Sequence, residues 1–186
     1  MSFNSYFVAL RTESQLGYIV HSRVRFDHNV VSFSCIIQSA SYAPDYLLAQ
    51  HDAFFTKYFE TFSNISEEDV QTNVKSIISK TLEKEKQMKI ESVRHWVEIA
   101  NHQFVFDRRN KKVEAFEKMK KQDLVDFFKN YLLPNGSNYR RMVVMMVAGD
   151  KKVNIDDLPK GHNVVLVEDR HTHKHNMPLY PSFTKF

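Results

Sequence analysis

Residues 17–38 carry two runs of β-branched and aromatic side chains separated by turn-forming residues. The first run is Gly17-Tyr18-Ile19-Val20-His21-Ser22-Arg23-Val24 and the second covers Val30 to Gln38, with Asp27-His28-Asn29 between them. Side chains of this kind suit a pleated, half-buried surface, and Asp and Asn tolerate the backbone of a tight reversal. The pair therefore predicts an antiparallel hairpin.

A long helical cover follows. Ala43-Pro44-Asp45 begins a helix, because proline is tolerated in the first turn. Leu47, Leu48, Phe54, Phe55, Tyr58, Phe59 and Phe62 recur at three- and four-residue spacing and make a wide apolar face, which Asn64 closes. Ser66-Glu67-Glu68-Asp69 reads as a capping box with Asp in place of Glu, and its acids suit a helix start. The next helix places Val70, Val74, Ile77, Ile78 and Leu82 on one side. A third pattern over 90–104 puts Val93, Trp96, Val97 and Ala100 on its core face, and shorter ones follow at 113–119 and 122–132. Pro134-Asn135-Gly136-Ser137 is a stop. The apolar run 141–148 is short enough for a buried strand. Beyond it lies a polar stretch with one strand-like piece, Val164-Val165-Leu166-Val167, and an ending at Met177-Pro178-Leu179-Tyr180-Pro181.

Hairpin, helices, then strand is the order of an α+β domain with helices on one face of an antiparallel sheet. We expect that domain over 1–155 and a tail over 156–186. Two or three strands are few for helices of this length, and the chain begins almost directly at a strand. The expectation is a domain without its first strand and helix.

The composition is that of a globular protein. The 186 residues include 15 Phe and 8 Tyr, enough for a core, and 26% are charged, as in soluble domains. The net charge of +4 is interspersed with acids, as in Leu82-Glu83-Lys84-Glu85-Lys86, which reads as a solvated face. No nucleic-acid stripe is visible, and a mildly positive surface toward acidic partners is the most the charge suggests. Cys35 is the one cysteine, so no internal disulfide forms. Its setting, Phe33-Ser34-Cys35-Ile36-Ile37, reads as a buried, inert thiol in a reducing compartment. No stretch approaches the roughly 18 apolar residues of a membrane span. The start lacks the basic and small-residue pattern of a signal peptide. A cytoplasmic chain without membrane or nucleic-acid partners is expected.

Two histidine constellations invite a metal reading. His95, Glu98 and His102 share a helical face and form a plausible zinc ligand set. Their histidines are seven residues apart, about 10 Å along a helix, whereas metallopeptidase motifs space them by four. The position that would complete an inverted motif from His95 is Ile99. A solvated polar face is the better reading. In His171-Thr172-His173-Lys174-His175 an extended backbone would align three imidazoles for weak metal binding, and an exposed loop is the alternative. The only glycines are Gly17, Gly136, Gly149 and Gly161, so no Gly-rich phosphate loop exists. The chain has no specific catalytic signature.

The segment Leu10-Arg11-Thr12-Glu13-Ser14-Gln15-Leu16-Gly17-Tyr18-Ile19-Val20 resembles the L-R-T-x-x-Q-L-G-Y-x-V motif in the last domain of the insulinase (pitrilysin) family of zinc metallopeptidases, the family of insulin-degrading enzyme. Further collinear matches are Ile36-Ile37-Gln38-Ser39, Trp96 with Glu98-Ile99, Phe106-Asp107-Arg108, the 121–131 helix and Pro178-Leu179-Tyr180-Pro181. The resemblance implies a fold of four homologous α+β domains in two halves that close around a peptide. It implies that zinc and the H-x-x-E-H motif reside in the first domain, while the last domain faces the same chamber. The motif's arginine and tyrosine, here Arg11 and Tyr18, would reach the catalytic centre, hold substrate and stabilise the transition state. This chain contains no H-x-x-E-H, so its implied role is non-catalytic, with the zinc-bearing N-terminal half and peptide substrates as partners. A degenerate peptide- or protein-binding module is the alternative, and an independent metalloenzyme on the histidines a third.

Overall fold

The computed structural model describes residues 3–27, 30–147, 149 and 165–177. The turn residues His28 and Asn29, Val164 and the Pro178–Pro181 match lie outside them, as does the boundary expected at 155.

The described chain opens on helix, not strand. Helix α1 (Phe3–Phe7) runs into a π-helical segment, Val8–Glu13. The physical reason is a spacing of four: Tyr6 and Leu10 fall on one face and are 0% and 3% exposed. Strands β1 (Ile19–Asp27) and β2 (Val30–Gln38) form the expected hairpin, paired antiparallel from Ile19 opposite Gln38 to Asp27 opposite Val30. This is a two-stranded sheet among the described residues.

Helix α2 (Pro44–Ser63) lays Phe54 and Phe55 into the core with Tyr6, Leu10, Leu16, Val20 and Phe128, and Leu47, Tyr58, Phe59 and Phe62 pack around them. Phe128 sits on α6 (Lys121–Tyr131) and meets the rings of Phe55, Tyr58, Phe59 and Phe62 at centroid distances of 6.1, 6.1, 5.4 and 5.2 Å. Rings at this separation add to the hydrophobic gain of their burial. Helix α3 (Glu67–Leu82) starts as its sequence says, with the Ser66 hydroxyl accepting from the Asp69 amide at 3.0 Å, and it buries Val70 and Val74. Ile77 and Leu82, on the same expected face, remain 45% and 51% exposed.

Three expectations fail. Helix α4 (Met88–Ala100) ends before 104 and turns its apolar stripe outward: Trp96 is 64% exposed, Val93 51% and Val97 45%. Its buried residue is Glu98, which Arg108 of α5 (Arg108–Glu117) grips with Nη2 2.8 Å from Oε2. An ion pair therefore sets the rotation of α4. The run expected as a strand at 141–148 has no regular structure over 141–147, and Ala148 lies outside the described residues. Arg141 is tied to Asp52 on α2, which holds the start of this run against a helix. The strand-like piece is likewise irregular over 165–167, and the histidine tract after it forms helix α7 (Arg170–Asn176), capped by Asp169.

Candidate functional site

The path from helix to hairpin brings Arg11 and Tyr18 together. Four-residue spacing puts Phe7 and Arg11 on one helical face, and the guanidinium carbon lies 5.0 Å from the Phe7 ring centroid. The chain then closes back on itself, with the Ser14 amide donating to the Ala9 carbonyl at 3.0 Å and the Leu16 amide to the Leu10 carbonyl at 2.9 Å. Gln15 takes a left-handed backbone, φ 50°, and Leu16 plugs into the core at 2% exposed. Gly17 follows because nothing larger fits: a Cβ there would stand 2.1 Å from the Gln38 carbonyl oxygen. The next side chain, Tyr18, emerges 82% exposed with its ring centroid 5.4 Å from the Arg11 guanidinium carbon.

Arg11 is thus held between two aromatic faces, where its cation is attracted to both rings. No carboxylate pairs with it among the described residues. A guanidinium oriented by rings and not spent on an acid keeps its planar fork of N–H donors for an incoming anion or carbonyl. Tyr18 adds a hydroxyl beside it. Phe7 also borders a shallow groove of about 270 Å³ shared with Val20, His21, Ser22 and Arg23. Ser22 is 5% exposed and its hydroxyl has no hydrogen-bond partner among the described residues.

Behind the site lies a buried polar cluster. The Tyr6 hydroxyl and His51 Nδ1 are hydrogen-bonded at 3.0 Å. Burial lowers His51 to about 4, against the opposing pull of Asp52, so the imidazole is neutral. Burial likewise raises the Tyr6 hydroxyl and pushes the Cys35 thiol up to about 12. A protonated thiol is a poor nucleophile, in line with the inert Cys35 read from its apolar run.

The histidine constellations do not converge. Glu98 spends its carboxylate on Arg108 and on the Val105 amide, and Arg108 holds it below the usual carboxylate range. Helix α4 stops at Ala100, and His102 sits beyond it with φ 54°, so the face shared with His95 is not continued. In α7, His171 and His175 lie one turn apart and His173 projects elsewhere, which replaces the extended alignment. Among the described residues no three His, Cys, Asp or Glu side chains stand close enough to hold a metal ion.

The sequence reading missed Phe7, the Ser22 groove and the Glu98–Arg108 pair. Phe7 was visible as the residue four before Arg11. Glu98 and Arg108 stood within matched segments whose pairing no spacing rule reveals.

Residues 1–96 match the family model described as PQQ synthase PqqF-like, C-terminal lobe domain 4. The chain is 30% identical over 185 residues to the peroxisomal insulin-degrading enzyme-like 1 of Arabidopsis thaliana, covering 95% of this chain and 18% of that protein. It is 27% identical over 188 residues to the insulin-degrading enzyme of Homo sapiens, covering 94% and 18%. The crystal structure of pitrilysin superposes on 67% of the chain and 13% of its own length, with TM-score 0.59 and 23% identity. That likeness is one of fold. The chain thus spans under a fifth of the length of the relatives it matches.

Proposed function

Because the chain belongs to the insulinase-type peptidases, in the PqqF-like C-terminal lobe domain 4, we propose that it is a non-catalytic, peptide-binding part of a zinc endopeptidase. In this reading it completes an active site whose zinc and general base come from a zinc-bearing N-terminal half. The observation that carries it is the stacking of Arg11 between Phe7 and Tyr18 at 5.0 and 5.4 Å. Peptide hydrolysis builds negative charge on the attacked carbonyl oxygen, and donors fixed in advance toward that charge lower the barrier. Arg11 would supply the charge and Tyr18 the hydroxyl, while Phe7 keeps the guanidinium from swinging away. Zinc, when bound in the partner half, would polarise the same carbonyl. We also propose a cytoplasmic setting, which the single cysteine, unable to pair within the chain, supports.

The test is cleavage of a quenched fluorescent peptide by a zinc-bearing N-terminal half of an insulinase-type enzyme, with and without this chain. The reading expects hydrolysis in the mixture and none from the chain alone. A mixture that associates without cleaving would point to an interaction module with no part in hydrolysis. Cleavage by the chain alone would overturn the non-catalytic assignment.

A further inference from the structure

Helix α7 carries a histidine pair that the proposed peptide site does not use. Asp169 caps the helix, accepting from the backbone amides of His171 and Thr172 at 2.9 and 3.2 Å and from the Thr172 hydroxyl. The cap favours a helix over the extended backbone that would line up all three imidazoles of the tract. On a helix, residues four apart are neighbours, with Cβ atoms about 5–6 Å from each other, while residues two apart stand on different sides. His171 and His175 therefore share one face and His173 leaves it. The first two are exposed and the third is half-buried.

Three observations suit that face to a metal ion. Imidazoles one helical turn apart can close on a single ion, and the zinc histidines of H-E-x-x-H and H-x-x-E-H motifs have this spacing. Among the described residues no hydrogen bond or ion pair engages either imidazole, so neither has a partner to give up. Glu168 and Asp169 offset Arg170 and Lys174, so an arriving dication meets no net repulsion from its neighbours in the chain. The chemistry is also bounded. Lys174 stands where H-x-x-E-H has its glutamate, so the motif's base is missing and the pair can hold an ion without activating water for hydrolysis. Asp169 is engaged in the cap, and among the described residues no third protein ligand joins the two histidines.

We propose that His171 and His175 form a two-imidazole site on α7 for a transition-metal dication of the zinc class, with water in the remaining positions. Imidazole suits zinc, copper and nickel, whereas magnesium and calcium prefer oxygen ligands. Because the helical backbone is what brings the pair together, the ion binds that form and stabilises it. A seven-residue helix with no buried residue has little else to hold it, so the ion acts as a clip across one turn. The site is independent of the peptide-binding reading and of the zinc in the partner half.

The experiment is isothermal titration of the full chain with zinc chloride in excess magnesium, comparing wild type with His171→Ala, His173→Ala and His175→Ala. All three positions lie on a helix without buried residues, so the denaturant midpoints of the variants should match wild type. The expected result is a zinc site in wild type that is weakened about tenfold or more in His171→Ala and in His175→Ala, as loss of a direct ligand requires. His173→Ala should stay close to wild type. Asp169→Ala, which removes the cap, should weaken binding severalfold, and Asp169→Asn, which can still cap, should restore it. A loss in His173→Ala equal to that in the other two would overturn the helical pair in favour of the extended tract. Zinc binding unchanged in all three histidine variants, or no zinc binding by wild type, would overturn the site outright.

Discussion

Gly17 shows how one residue fixes the site. It lies where the backbone of Gln38 passes so close that a Cβ would fall 2.1 Å from a carbonyl oxygen and 3.3 Å from the Ser39 Cα. That contact sets where β1 begins relative to β2, and so where Tyr18 emerges beside Arg11. Gly17→Ala should destabilise the fold by about 1–3 kcal/mol, the usual cost of overpacking against atoms that cannot move aside. Denaturant unfolding of the two proteins measures it, and an unchanged midpoint would mean the two segments do not touch. His51 makes a second prediction at this scale. Its folded value of about 4 lies below the ordinary 6.5, so the unfolded chain takes up the proton first. Stability is therefore full above about pH 6.5 and falls as pH drops toward 4, by up to about 3 kcal/mol. His51→Gln, which can still hydrogen-bond Tyr6, should flatten that slope, and a wild-type stability level across this window would contradict the buried neutral imidazole.

Among the elements, α4 teaches most about what sequence can show. Periodicity located the helix but named the wrong inward face, because a stripe of Val93, Trp96 and Val97 looks like core wherever it points. What turned the helix was Glu98, 8% exposed and held by Arg108 across ten residues of chain. Glu98→Ala would leave a half-buried guanidinium unpaired and should cost about 1–2 kcal/mol, discounted for the exposure of Arg108. In a double-mutant cycle with Arg108→Ala the two losses should overlap, and strict additivity would deny the coupling. Trp96, the one tryptophan, should be freely quenched by acrylamide in the isolated chain; protection would mean the stripe is covered after all. The hairpin, α2 and the Ser66 cap were legible because each is dictated by residues near in sequence. The helical start at residues 3–13 and the irregular 141–147 were not. The first hides its period in a short π-helical turn, and the second depends on Arg141 finding Asp52, 89 residues away. At the site, Arg11 and Tyr18 were readable only through the family motif, since their approach requires the turn at Gln15 and Gly17.

On the scale of the whole molecule, the reading proposed above is of a part that works against another surface. Its core is centred on α1, the hairpin, α2 and α6, while large apolar side chains stand exposed on α4 and over 142–147. It spans 18% of the insulin-degrading enzymes it matches, and the groups we propose it offers toward chemistry are the Arg11 guanidinium and the Tyr18 phenol. Those two side chains form a unit in which Tyr18 orients Arg11, so their contributions should not be independent. The decisive measurement is the kcat/KM of peptide cleavage by the zinc-bearing half mixed with wild type, Arg11→Ala, Tyr18→Phe and the double variant. The account predicts a loss of tenfold or more for each single variant, on the scale of removing one preorganised donor, and a double variant less impaired than the product of the two. Wild-type rates in both single variants, from mixtures shown to associate, would contradict it.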